Sequence, residues 1–317
     1  MNRRQLKLAT GVVLFSVHFL TGCAPSRSMT SEGRRPCAWQ RGQSGVLSAR
    51  TNALNAANLG ERFRCDGDRE SLRQLIGLAE SLPESPYAIE ELFRLGKKIK
   101  EQGLCDLLGP VVLRGLQSQK DRVFTTACLM VEWLGKSAEP AVDLLVDSIQ
   151  AEEGHRTFMA LWALRRMGPL ARHAASGLLA KLACTSPPAR STERMSTRFE
   201  EMILATVRSV GVPDSHAADK VRQFLYVRDD GSRRVAAMCL LEYDVSDVQA
   251  AEEIVRQLRA RDKGTVSDTL WSIKGMRQVP DNVVSAVAKV AEEECRSNRG
   301  RVAIGILSDM ARQRPKK

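Results

Sequence analysis

Val131-Glu132-Trp133-Leu134-Gly135-Lys136-Ser137-Ala138-Glu139-Pro140-Ala141-Val142-Asp143-Leu144-Leu145 reads as one helix ending, a turn, and a second helix beginning. Gly135 closes the first helix because glycine takes positive φ without a Cβ penalty, and Pro140 opens the second where its missing N–H has no partner to lose. The pattern returns 33 residues later in Ala163-Leu164-Arg165-Arg166-Met167-Gly168-Pro169-Leu170-Ala171. After an insertion it returns again in Ser209-Val210-Gly211-Val212-Pro213. Asp244 holds the same position 33 residues past Gly211, and Gly275 with Pro280 follows 31 further on. A helix pair every 31–43 residues is the period of an α-solenoid.

The faces of the second helices agree with that period. Ala171, Ala174, Ala175, Leu178, Leu179 and Leu182 form one stripe at helical spacing. Ala217, Ala218, Val221, Phe224 and Leu225 repeat it, as do Val248, Ala251, Val255 and Leu258, and then Val283, Val284, Val287 and Val290. First helices such as Phe158 to Met167 are apolar over a wider arc, as a helix packed between neighbours should be. The composition fits: of 317 residues 43% are hydrophobic and only 5% aromatic, which suits close stacking on alanine better than a β-sandwich. Trp133, Trp162 and Trp271 recur in the first helices and are expected to fill the core. The fold class expected is all-α, an α-solenoid of antiparallel helix pairs.

Gly154-His155-Arg156-Thr157-Phe158-Met159-Ala160-Leu161-Trp162-Ala163-Leu164-Arg165-Arg166-Met167-Gly168 carries an early Arg, alanine spacers and a closing Leu-x-x-hydrophobic-Gly. Asp230-Gly231-Ser232-Arg233-Arg234-Val235-Ala236-Ala237 opens with Asp and Arg. These stretches resemble HEAT repeats, in particular the short HEAT-like type named after phycobilin lyases. The resemblance is closest from Asp121 to Ala183; Glu70 to Leu116 and Asp247 to Met310 match as helix pairs only. It implies a fold more than a function. Lyases of that type work on tetrapyrroles in the cytoplasm, and the amino terminus of this chain argues against that reading.

Met1 to Lys7 carries Arg3, Arg4 and Lys7 with no acid, and Leu8 to Leu20 is a mostly apolar run too short to span a bilayer. Leu20-Thr21-Gly22-Cys23 then resembles a bacterial lipobox. By that resemblance residues 1–22 are a signal peptide, Cys23 is acylated, and Ala24 directs the protein to the outer membrane. Two or three acyl chains anchor a protein stably where one is marginal. Residues 23–67, rich in Ser, Arg, Gly and Asn, are expected to be a flexible tether, with the HEAT-like domain over residues 68–317. Cys37 and Cys65 lie in the tether, and in an oxidising compartment the two are candidates for a disulfide. Cys105, Cys128, Cys184 and Cys239 fall among apolar residues of helices and are expected to behave as small hydrophobes.

Loss of Arg3, Arg4 and Lys7 lowers the net charge from +11 to +8. In a cytosolic chain such an excess would point to nucleic acid; an exported one meets anionic lipid and envelope polymers instead, so no nucleic-acid partner is expected. There is no phosphate-cradling Gly-Lys-Ser/Thr loop, no Gly-x-Ser-x-Gly elbow, no His-Glu-x-x-His and no Cys-x-x-Cys. Asp66 to Gly77 fails as a calcium loop, since Ser71 stands where glycine is needed and Gly77 where glutamate is. Asp68 is instead expected to cap a helix. His155, beside Glu152 and Glu153, reads as a helix-start residue, and no His or Cys pair has metal-ligand spacing. The chain is therefore expected not to be an enzyme and to need no cofactor or metal. What remains is the polar side of the second helices, the concave side in HEAT solenoids. Glu139, Asp143 and Asp147 make it acidic, then Arg172, His173, Lys181, Lys220 and Arg222 make it basic. Patches of both signs suit a protein ligand better than a uniform polyanion. The function expected is a membrane-anchored scaffold or adaptor that binds another envelope protein through those basic residues; a charge-driven binder of anionic envelope polymer is the alternative beside the lyase.

Overall fold

The computed structural model describes residues 38–81, 85–151, 154–184, 193–227 and 229–313. Val46–Lys317 is one compact unit; of the preceding Met1–Gly45 only the start of the first helix is described. The signal peptide, Cys23 and Cys37 lie outside the described residues.

Sixteen α-helices are described, and no strand. They are α1 (Ala38–Asp66), α2 (Arg69–Ser81), α3 (Pro86–Arg94), α4 (Gly96–Glu101), α5 (Gly109–Gln117) and α6 (Asp121–Met130). There follow α7 (Glu139–Ala151), α8 (His155–Met167), α9 (Ala174–Cys184), α10 (Glu193–Val210) and α11 (Ser215–Arg222). The last are α12 (Asp230–Tyr243), α13 (Val248–Leu258), α14 (Lys263–Ile273), α15 (Asp281–Glu293) and α16 (Asn298–Gln313). Two layers result. In the first, α3, α6, α8, α10, α12, α14 and α16 pack each on the next. In the second, α2, α5, α7, α9 and α11 do so, and α13 packs on α15. The layers face each other through pairs such as α5–α6, α7–α8, α12–α13 and α15–α16. The fold is an all-α solenoid of antiparallel helix pairs, of the HEAT-like kind.

Local chemistry sets the boundaries. Asp68, Asp214, Asp229, Asp247 and Asp262 each accept a hydrogen bond from a backbone N–H in the first turn that follows, which satisfies donors a helix start leaves free. Hydrogen bonds from the Thr265 hydroxyl and backbone hold the Asp262 carboxyl below its ordinary range. Gly135 (φ 54°, ψ −125°) and Gly168 (φ 58°, ψ −136°) adopt backbone angles that side chains with a Cβ rarely take. Beyond the second of these stops, Ala171, Ala174, Ala175, Leu178, Leu179 and Leu182 are all buried, as their spacing predicts. Val248 departs from its stripe and is 64% exposed, because it follows directly on the Asp247 cap, in a first turn that faces solvent.

The expected tether is corrected over its second half. From Ala38 onward the chain is helical, and Ala56 and Phe63 of α1 are buried in the solenoid core. Gly60 lets the helix approach closely, since a Cβ there would stand 2.4 Å from Glu91 Oε1. Glu91, itself buried, accepts hydrogen bonds from Arg64 (2.9 Å) and Arg94 (3.1 Å). The Lys98 ammonium lies 5.6 Å from the Phe63 ring centroid and donates to the Arg64 carbonyl. Thus α1 docks against α3 and α4. The contact face of α1 is built from an alanine, a glycine and one phenylalanine, which in a sequence reads as linker.

Glycine at the repeat turns can be tested by substitution. Gly168→Ala should lower stability by about 1–3 kcal/mol, the cost of holding a Cβ-bearing residue in that region. Gly77→Ala, in the middle of α2 with open space around the added carbon, should raise it by about 0.5–1 kcal/mol. Thermal or urea unfolding of the two variants reads both signs.

Candidate functional site

Three of the five basic residues expected to form a strip on the second helices are bound to the protein's own backbone or carboxylates, and a fourth faces one. Arg172 donates to the carbonyls of Val212 (2.9 Å) and Pro213 (3.2 Å), so it braces the next repeat turn. Lys181 donates to the Gln150 carbonyl at 3.3 Å. Arg222 pairs with Asp219 and, at 2.9 Å, with the buried carboxylate of Asp247. His173 Nε2 lies 3.6 Å from Asp143, which joins the acidic stripe of α7 to the basic stripe that follows it. Lys220 has no ion pair among those described and is half-buried. These side chains hold repeats together. Cys65 is a free, exposed thiol that donates to Glu61 at 3.2 Å, and its expected partner Cys37 lies outside the described residues.

A set of exposed or partly exposed aromatic groups lies on the first layer. The Phe93 and Trp133 rings stack with centroids 5.3 Å apart and planes 7° from parallel, and Lys100 Nζ sits 5.3 Å from the Trp133 centroid. Trp133 lies in the 3-10 turn Val131–Ala138 and is laid flat over α4, where a Cβ on Gly96 would come within 2.2 Å of the indole. One face of α8 carries His155, Phe158, Trp162 and Arg166 at helical spacing. Phe158 is 51% exposed, and the Arg166 guanidinium lies 5.8 Å from the Trp162 centroid while pairing with Glu132. Trp271 on α14 is 57% exposed, with Lys274 Nζ 5.0 Å from its centroid. The expectation that the tryptophans fill the core is therefore corrected. Alanine and leucine fill it, and each indole lies on the outer side of its helix with a cation against it.

Phe93 and Leu129 line a groove of about 540 Å³ running over α3, α6 and the start of α8. Its polar groups are already matched. Arg122 pairs with Glu90, and Arg156 reaches Asp121 (3.4 Å) and the Ser118 carbonyl (2.9 Å) while covering the Phe124 ring at 4.1 Å. Thr125 Oγ1 and His155 Nε2 share a hydrogen bond of 3.0 Å. His155 is the exposed first residue of α8, as its place in the sequence predicts.

Two thiols the sequence places inside are inside: burial pushes the Cys128 thiol far up and the Cys239 thiol up to about 12, and Cys239 donates to the Leu204 carbonyl. Both stay protonated at neutral pH and neither is a nucleophile. Among the described residues no group of three or more His, Cys, Asp and Glu side chains is placed to hold a metal ion, and no helix is long and apolar enough to cross a membrane.

No family model and no curated protein matches this chain. Among solved structures it is similar to a chain in the complex of CpcE and CpcF of phycocyanin lyase from Nostoc sp. PCC7120. The identity is 16% and the TM-score 0.42, over 74% of this chain and 94% of that one. The expectation that this chain is not an enzyme, which rested on missing motifs alone, is withdrawn. The missing motifs do not by themselves exclude activity.

The aromatic stack gives a direct test of the geometry. Gly96→Ala should force Trp133 off α4, lower stability by about 1–3 kcal/mol and shift tryptophan emission towards that of a solvated indole. Unchanged melting and emission would mean that the indole does not lie against Gly96.

Proposed function

We propose that this protein is a lipid-anchored α-solenoid of the cell envelope that binds another protein across the outer face of its first helix layer. The observation that carries the reading is the run of partly exposed aromatic side chains on that face. Phe93, Trp133, Phe158 and Trp162 project from successive helix pairs, and each is partly or largely exposed. An α-solenoid offers an extended surface of this kind because each repeat adds one helix to it. Aromatic residues with arginines beside them are the side chains that contribute most to protein interfaces, and a cation on the ring keeps them soluble until a partner arrives. The charged groups of the α3–α6–α8 groove are paired with one another, so the surface is close to neutral and suits an apolar contact.

The membrane part of the reading rests on Arg3, Arg4 and Lys7, the apolar run that follows, and the small residues before Cys23. The first described helix begins 15 residues beyond that cysteine, at Ala38.

Site-specific photocrosslinking in membranes tests both parts. A photoreactive phenylalanine analogue at Phe158 should give a discrete protein adduct, weakened by Trp162→Ala, while the same analogue at Lys220 should give none. Cys23→Ser should abolish labelling by a fatty-acid analogue and move the protein to the soluble fraction. Equal adducts at Phe158 and Lys220, or none at either, would overturn the binding face. Membrane retention without label would overturn the anchor.

A further inference from the structure

Two cations on one outer groove, Lys274 and Arg301, face no carboxylate of their own chain among the described residues. Where α14 packs on α16, a groove of about 500 Å³ is lined by Trp271, Lys274, Arg299, Arg301, Gly305 and Asp309 among others. Among the described residues Lys274 has only the Trp271 ring against it, and Arg301 donates to the Asn298 side-chain oxygen but to no carboxylate. The acids nearby are engaged elsewhere: Glu294 with Arg299 at 2.6 Å, and Asp309 with Arg312 at 3.8 Å. The floor of the groove is open at Gly305, where a Cβ would meet nothing within 4 Å. Trp271 forms one wall and is more than half exposed, and Ile304, on the turn beside Gly305, is 46% exposed.

We infer that this groove binds an acidic segment of another protein that carries one bulky apolar side chain. The inference rests on the reading of the chain as a protein binder and adds the chemistry of the ligand. Trp271 and the open floor at Gly305 receive the apolar side chain, and Lys274 and Arg301 receive carboxylates on either side of it. Charge decides the class of ligand: two cations without carboxylates attract acids, whereas the groove over α3, α6 and α8 has its charges matched and selects for none. Shape decides against a lipid surface. A bilayer takes up side chains that protrude, whereas here the glycine makes a depression that admits one.

Random twelve-residue peptides displayed on phage and selected on the intact soluble chain supply the probe. The enriched peptides should carry Asp or Glu around an aromatic or aliphatic residue. As free peptides they should bind at least tenfold more weakly to Gly305→Leu, which fills the groove, and to Lys274→Glu with Arg301→Glu, which reverses its charge. Phe158→Ala should leave their binding unchanged. Helicity and melting temperature of the variants are measured alongside, and since Gly305 has free space around it the leucine should not unfold the chain. Peptides without acidic enrichment, or equal affinity for all variants, would overturn the inference. So would phosphatidylglycerol vesicles that bind through the same residues while no peptide does. Peptides that bind only where Phe158→Ala removes them would overturn this groove and leave the general reading standing; no selected peptide at either place would sink both.

Discussion

No helix pair in this protein covers its own apolar stripe. Phe124, Leu145, Leu164 and Leu178 belong to successive helices, and each is fully buried only because the helices on either side close over it. That mutual covering is the constraint from which the rest follows. It demands small residues wherever two helices approach closely, hence the many alanines, and Gly115, whose Cβ would stand 2.8 Å from Ala127. It also demands a fixed register between neighbours, and a ladder of polar contacts marks that register. Arg122–Glu90, Arg156–Asp121, Arg166–Glu132, Arg208–Glu242 and Arg234–Glu201 join residues 32 to 35 apart, one repeat each. Pairs this close to the surface contribute about 0–1 kcal/mol each, so they set alignment more than stability.

The ladder shapes what the surface is free to do. A cation spent on the next repeat's carboxylate or carbonyl is withdrawn from any partner, and this is the fate of Arg172, Lys181 and Arg222. Phe63 and Phe124 stay in the core, and Trp133, Trp162 and Trp271 are what the packing leaves over. They are too large for the alanine-lined contact between helices, so they emerge on the outer side of the first layer and rest on the nearest cation. The surface with most to offer a ligand is therefore one the core could not use.

Much of the fold is legible in the sequence, for a physical reason. Gly135, Gly168 and Gly211 all have positive φ, and few other residues suit those turns, so the repeat is visible wherever they stand. The six-residue stripe from Ala171 to Leu182 is legible because helical spacing and burial express the same geometry. The α1 helix was not, since Ala56, Gly60 and Phe63 make too faint a pattern and their partner is a buried acid far along the chain. The partners that Arg172, Lys181 and Arg222 have within the chain were not legible for a related reason. Sequence shows that Arg222 lies off the apolar stripe, but it does not show that Asp247 waits beside it. A period of 32 to 35 in opposite charges marks Arg122, Arg156 and Arg166, but not Arg222, whose buried partner lies 25 residues on.

Dividing the chain between Gly168 and Pro169 tests the mutual covering most directly. The cut falls at a turn and leaves every helix whole, but it separates α8 from α10 and α7 from α9. Residues 38–168 and 169–317, made as separate chains, should each lose helical circular dichroism and self-associate, and mixing should restore a one-to-one, fully helical complex. Two soluble, monomeric, fully helical halves that ignore each other would contradict the account, because each repeat would then be closing over its own core.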